Sequence, residues 1–351
     1  MKIIFIASNL KNIGGIQNYN KNLLKVMRNF GQEVKIIELK SSGFFSKIIF
    51  VAEFFIKIMI FKPNFIFCSH INFSPICYWV KMIFNIDYSI TIYGIEVVKI
   101  KKSFIKPLKK SKFIVKLFDN TVNNLIKQLP ELKEKLTAIP NSINEEEFFI
   151  KKKSDSIIRK YNLEDKKTIL TISRLSISDS NGKGYKRVIR AMPQVLKAIP
   201  EAVYILVGGG DDVPTVEKLI LELGLENKII LTGSVKNEEL IDYYNTADIF
   251  VLPSKNEGFP AIVVMEALAC GKVVVVGRQS GTEAAFGGGK LGIIIDPDNI
   301  EEIAKAIIAA LKRNLPDYLL SPATIRENAL NIYGKKKYED YVRSFLSIIN
   351  S

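Results

Sequence analysis

TILTISRLSISDSNGKGYKR (168–187) reads as a β-strand that gives out at Ser173-Arg174-Leu175, then a polar loop with two glycines, then the first turn of a helix. β-Branched and aliphatic residues fill the opening TILTI, as a strand covered on both faces requires. A strand feeding a helix through a short loop is half of a parallel crossover unit. The same pattern recurs downstream in AVYILVGGG (202–210), KIILTG (228–233), IFVLPS (249–254), VVVVG (273–277) and GIIID (292–296). Upstream lies an equivalent series: KIIFIAS (2–8), EVKIIEL (33–39), FIFCSH (65–70), YSITIYG (88–94), FIVKLF (113–118) and LTAIP (136–140). Two doubly wound parallel sheets in tandem are therefore expected, each with helices on both faces, meeting across a cleft that is the default ligand site. The polar stretch NEEEFFIKKKSDS (144–156) separates the series and reads as a linker, giving domains over 1–150 and 151–325. The amphipathic tail 326–351 is expected to form a helix that crosses back onto the first domain.

A chain of 351 residues, 48% of them hydrophobic, buries enough core for two domains, which excludes disordered and fibrous classes. Its three cysteines, Cys68, Cys77 and Cys270, are odd in number and widely spaced, so neither a disulfide framework nor a zinc site is expected. The opening MKIIFIASNLKN reads as a first strand rather than a secretory signal. The net charge of +14 is unevenly spread. Residues 1–150 carry 22 Lys/Arg against 11 Asp/Glu, and the remainder 28 against 25. Much of the excess sits in KIKKSFIKPLKKSKFIVK (99–116), a patch suited to an anionic membrane or, less specifically, to nucleic acid. The segment FFSKIIFVAEFFIKIMIF (44–61) contains Lys47, Glu53 and Lys57, too many charges for a spanning helix. Ser46, Glu53 and Lys57 share one narrow face in helical projection, which predicts a crossover helix buried on most sides, with a helix lying in a bilayer interface as the minor alternative.

Several strand exits carry groups with chemistry. Gly14-Gly15 lies in the first βα turn, where the backbone can approach a ligand closely and the next helix offers free N–H groups to an anion; the spacing is not that of a GxGxxG fingerprint. Arg174 and Lys183 flank the loop of the opening quotation, and two cations beside a helix start suit a diphosphate. In PSKNEGFPAIVVMEALACGK (253–272), Glu257 and the backbone at Gly258 and Phe259 occupy a strand exit, with Glu266 on the helix behind. Carboxylates accept hydrogen bonds from sugar hydroxyls. The chain's single histidine, His70, ends one strand; Tyr93 and Glu96 follow another.

Taken in order, the Gly14-Gly15 turn, AIPNSINEEEFF (138–149), the Arg174/Lys183 pair, LVGGGDD (206–212), KIILTGSVKNEELIDYYNTADIFVLPS (228–254) and the EGFP…EALACG block closely resemble retaining glycosyltransferase family 4, over nearly the whole chain. The resemblance implies the GT-B fold, an α/β architecture of two Rossmann-like domains facing across a cleft. It assigns catalysis to Arg174, Lys183 and Glu257. It assigns donor binding to Gly14, Gly15, Arg174, Lys183, Gly258, Phe259 and Glu266, with Glu266 on the ribose. His70, Tyr93 and Glu96 become candidate contacts to the acceptor or the sugar. Two departures stand out: eight residues separate Glu257 from Glu266 where the family usually has seven, and Tyr93 replaces a usual histidine.

The resemblance implies metal-independent transfer of a sugar from a nucleotide-diphosphate sugar, of UDP or GDP type, to a hydroxyl with retained configuration. The nucleotide sugar serves as co-substrate, with no cofactor and no metal. The basic first domain favours a glycan or lipid-linked acceptor in cell-surface polysaccharide or glycolipid synthesis. A cytoplasmic enzyme, peripheral on the inner face of an anionic membrane, is expected. A nucleotide-sugar epimerase on a similar fold is the runner-up; a nucleic-acid-binding protein rests on charge alone, without an RNA- or DNA-reading motif, so no nucleic-acid partner is expected.

Overall fold

Each of the two runs of apolar segments forms a parallel sheet. The computed structural model describes residues 1–11, 15–41, 43–255, 261–278 and 282–350. In the first run the strands are β1 (Lys2–Ser8), β2 (Glu33–Leu39), β3 (Phe65–Cys68), β4 (Asp87–Ile92), β5 (Phe113–Lys116) and β6 (Leu136–Ala138), ordered β2-β1-β3-β4-β5-β6. In the second they are β7 (Lys167–Ile172), β8 (Ala202–Val207), β9 (Ile229–Gly233), β10 (Ile249–Leu252), β11 (Val273–Gly277) and β12 (Ile293–Ile295), ordered β12-β11-β10-β7-β8-β9. The chain divides into two compact units, Met1–Ser142 with Lys336–Ser351, and Ile143–Lys335.

In the first unit, helices α1 (Gly15–Asn29), α2 (Phe44–Phe61), α3 (Ser74–Phe84) and α4 (Lys102–Lys110) follow successive strands. Strand alternation divides β1 between two cores. Ile4 and Ile6 pack with Phe54 and Ile58 of α2, Cys77 and Val80 of α3 and Leu108 of α4. Ile3 and Phe5 pack with Leu23 and Met27 of α1 and with the C-terminal helix Lys335–Asn350. That last helix sets the Phe345 ring edge-on to Phe65, Phe67 and Phe113. Each such buried aromatic contributes roughly 1.5–3 kcal/mol. Cys68, Cys77 and Cys270 are free and buried.

Three expectations need correction. The first unit closes at Ser142 rather than 150, because the residues beyond it bind the second unit. Ile143 N–H donates to the Tyr333 carbonyl at 2.8 Å, Lys151 N–H to Asn245 Oδ1 at 2.8 Å, and Arg326 Nη1 donates to the Phe148 carbonyl at 2.7 Å. The stretch 144–156 is thus not a free linker. Likewise the chain leaves the second unit at Lys336 rather than 326, since the helix Pro322–Tyr333 packs on Ile262–Ala269. Finally, α2 is not buried on most sides: only Phe50, Phe54, Ile58 and Phe61, one stripe at helical spacing, are buried.

Candidate functional site

In the second sheet β7 lies beside β10, while β8 and β9 extend on one side and β11 and β12 on the other. This is a topological switch point, and the crevice outside its carboxyl ends is where such sheets bind ligands. Ser173 and Arg174 leave β7 there, and Pro253, Ser254 and Lys255 leave β10. Arg174 is exposed, and its neighbours on either side are locked by backbone. Ser173 N–H donates to the Val207 carbonyl at 3.0 Å, Leu175 N–H to the Gly209 carbonyl at 2.9 Å, and Asp212 N–H to the Leu175 carbonyl at 3.1 Å. The glycine run after β8 permits this approach. Gly208 and Gly210 hold φ of +141° and +149°, and a Cβ on them would stand 1.8 Å from the Ser173 oxygen and 2.0 Å from the Leu175 oxygen. Only glycine fits either position.

Lys183 is placed by the same logic. Gly184 (φ +82°) sits so close to β10's exit that a Cβ would fall 2.2 Å from the Pro253 oxygen, and Lys255 N–H donates to the Gly182 carbonyl at 2.6 Å. The loop carrying Lys183 is thereby pinned beside the switch point. The helix that follows, Tyr185–Ala198, is anchored by Asp212, which is buried and accepts from Tyr185 Oη at 2.6 Å and Lys186 Nζ at 2.7 Å. Burial alone would raise the Asp212 pKa, but these bonds outweigh it and hold the carboxyl below its ordinary value.

Glu266 lies on the helix Ile262–Ala269 that follows β10. Its Oε2 accepts from Tyr244 Oη at 2.6 Å. Burial pushes its carboxyl up to about 7, the Tyr244 hydroxyl opposing the rise and Glu147 adding to it. Tyr244 presets the orientation of this carboxyl. Gly14, Glu257, Gly258 and Phe259 lie outside the described residues.

The first unit gathers its own polar cluster at the exits of β3 and β4. The His70 and Tyr93 rings stack 5.9 Å apart. His70 Nδ1 accepts the Asn72 N–H at 3.1 Å, which leaves the proton of the neutral ring on Nε2. Burial lowers the His70 pKa, with Glu96 acting against it. Glu96 Oε1 accepts the Tyr93 N–H at 2.6 Å, and Tyr93 Oη donates to Asn20 Oδ1 at 3.4 Å. Burial first, then Glu96, raises the Tyr93 pKa, so the phenol keeps its proton. Glu96 Oε2 and Asn20 Nδ2 are buried with no partner among the described residues. Buried polar atoms rarely stay unpaired. Gly15 opens α1 after β1, at the edge where β1 meets β3. The sequence reading therefore named three residues that fold into one cluster, and it missed Asn20, Tyr244, Gly208 and Gly210. Asn20 was visible as a polar residue on the stripe of Tyr19, Leu23 and Leu24 that α1 buries.

Among the described residues no cluster of three or more His, Cys, Asp or Glu is arranged to hold a metal ion, and no helix is long and apolar enough to cross a membrane.

Two Rossmann-like units of this kind define the GT-B fold of glycosyltransferases. The sucrose-phosphate synthase of Thermosynechococcus elongatus superposes with a TM-score of 0.81 over 99% of both chains at 18% identity. The Anabaena protein HepE, solved in complex with UDP, gives 0.80 over 99% of this chain and 100% of its own at 17% identity. The pattern of the family described as glycosyl transferases group 1 matches residues 153–336, more than half of the sequence, and the chain belongs to that family. A GDP-mannose-dependent alpha-(1-6)-phosphatidylinositol monomannoside mannosyltransferase of Mycolicibacterium smegmatis is 30% identical over 42% of this chain and 39% of its own length. An uncharacterized glycosyltransferase of Methanocaldococcus jannaschii is 33% identical over 59% of this chain and 50% of its own. The alignments thus span half or less of these relatives.

Proposed function

We propose that this glycosyltransferase takes a sugar from a UDP- or GDP-sugar and passes it, with retained anomeric configuration, to a hydroxyl of a glycan or lipid-linked acceptor in cell-surface polysaccharide or glycolipid assembly. The observation that carries the reading is Arg174, exposed at the β7–β10 switch point between Ser173 and Leu175, whose backbone the Gly208–Gly210 run holds, beside the pinned loop of Lys183. In the transfer, the bond between the anomeric carbon and the phosphate oxygen breaks and its electron pair leaves on the diphosphate. Fixed cations stabilise that developing charge most where they need no reorganisation. Arg174 and Lys183 meet it, so the reaction needs no divalent metal or other cofactor. Glu266, oriented by Tyr244, accepts the ribose hydroxyls. Glu257 and the backbone of Gly258 and Phe259 hold the donor sugar, and the Gly14-Gly15 turn at the start of α1 offers backbone N–H groups to an anion. His70, Tyr93 and Glu96 receive the hydroxyl-bearing partner, where the unpaired Glu96 Oε2 supplies an acceptor. The relative named for GDP-mannose and the neighbour solved with UDP support a donor of either base. A basic first unit suits an enzyme working from the cytoplasm at the inner membrane face.

Calorimetric titration of UDP-, GDP- and ADP-sugars in EDTA tests this. One nucleotide class should bind, and Arg174→Ala and Lys183→Ala should each abolish the signal. Folded protein that binds none of them, or binding indifferent to both substitutions, overturns the reading.

A further inference from the structure

The outward face of α2 is inverted relative to an ordinary surface helix, which turns polar residues to water. Its exposed side chains include Phe44, Phe45 (79% exposed), Ile49, Ile56, Met59 and Ile60 (75%). Of its charges, Lys47 is exposed in the first turn, while Lys57 Nζ bonds Glu53 at 2.6 Å and the Ile36 carbonyl at 2.9 Å, on the flank of the sheet. On α3, Trp79 (59% exposed), Met82 and Ile83 sit three and four residues apart and so share one face. The Phe55 and Phe84 rings, 6.4 Å apart, join the two helices. α4 packs against α3 and carries exposed Lys102, Lys106 and Lys110, none of them in an ion pair among the described residues. A contiguous apolar surface of this kind marks an interaction site.

We propose that this face of the first unit docks on an anionic lipid bilayer, with Phe45, Ile49, Ile60 and Trp79 entering the headgroup–acyl boundary and the α4 lysines meeting lipid phosphates. Charge complementarity selects the occupant. A second copy of the chain, paired about a two-fold axis, would bring two lysine rims of like sign together, whereas an anionic surface neutralises them. α2, 18 residues long and charged on its flank, fits an in-plane helix rather than a spanning one. The inference rests on the reading of a membrane-borne acceptor, but its test does not pass through the donor site.

Trp79 is the chain's single tryptophan, so its emission reports this face alone. Full-length protein is mixed with phosphatidylcholine vesicles, with and without phosphatidylglycerol, and followed by flotation and by Trp79 fluorescence with brominated-lipid quenching. With phosphatidylglycerol present, the protein should float and Trp79 should shift to the blue and be quenched. The exposed triple variant Phe45→Ser/Ile49→Ser/Ile60→Ser should lower partitioning by roughly tenfold or more. Lys102→Ala/Lys106→Ala/Lys110→Ala should lower it on the order of a hundredfold, on anionic vesicles only. Both variants should keep wild-type circular dichroism and nucleotide-sugar affinity. Absence of flotation and blue shift in the wild type, or partitioning unmoved by both variants, overturns the proposal while leaving the donor reading intact. A blue shift that grows with protein concentration without lipid, alongside a dimer in sedimentation, assigns the face to a second copy instead.

Discussion

The two units share a doubly wound plan and use it differently. In the second, the site is built from backbone: glycines 208, 210 and 184 let the exits of β7, β8 and β10 press together, and the cations ride on that frame. In the first, the site is built from side chains, with His70 stacked on Tyr93, Tyr93 bonded to Glu96 and Asn20, and the core surrounding them. Backbone contacts demand particular residues, chiefly glycine, whereas a side-chain cluster can be rebuilt with other groups. This contrast can be broken experimentally.

The largest effect should come from the anchor of the second frame. Asp212 is buried and bonds the half-buried Lys186 and the buried Tyr185 hydroxyl, and removing one partner of a fully buried pair costs about 3–5 kcal/mol, an upper bound here. Asp212→Ala should lower the unfolding free energy of the second unit by a few kcal/mol, read from its denaturation curve, while Trp79, which lies in the first, reports a smaller change. Equal loss by circular dichroism and Trp79 emission would show that the units unfold as one. Next in size, Arg174→Ala should cut transfer by on the order of 100- to 1000-fold, about 2.7–4 kcal/mol, measured as kcat/KM at unchanged stability. A loss below tenfold would move charge stabilisation away from the backbone-built site. In the first unit, Glu96→Gln keeps the shape and removes the charge. A drop of roughly 10- to 100-fold in kcat/KM for the acceptor, with donor affinity unchanged, is expected from a lost charge-assisted hydrogen bond of about 1.5–3 kcal/mol. If donor affinity falls instead, the cluster serves the sugar rather than the acceptor.

The sequence carried the strands well, because a parallel strand covered on both faces is a continuous apolar run. All twelve expected segments form strands. Arg174, Lys183 and Glu266 were legible as polar groups at strand exits or on the helix behind one. The role of Gly208 and Gly210 was not, because it depends on β7 lying beside β8, a pairing across more than thirty residues. Asn20 and Tyr244 were hidden for the same reason: each meets its partner only through tertiary packing. On α2 the periodicity was right and the face was wrong. Lys57 finds a carbonyl and a carboxylate beside the sheet, so the polar stripe is not the solvent stripe, and one sheet face cannot cover so many apolar residues.

The smallest effect is the most diagnostic, because it runs in two directions at once. Glu266 has its carboxyl pushed up to about 7 by burial, against 4.5 for the free group. Between those values the folded state holds a proton that the unfolded chain has released, so this group's contribution to stability is fully present below about pH 4.5 and is lost as pH rises toward 7. Donor binding should move the other way. A ribose hydroxyl donates best to an ionised carboxylate, so protonation competes with the ligand, and affinity for the nucleotide sugar should improve by about tenfold from pH 6 to pH 8. A nucleotide sugar is the right probe, since its doubly esterified diphosphate does not titrate in this range as a free nucleotide does. Glu266→Gln should flatten both slopes, in calorimetric affinity and in the thermal midpoint across pH 5 to 8. If only the stability slope flattens, Glu266 is a buried acid that packs against Tyr244 without touching the donor, and the ribose contact belongs to another group at the β10 exit.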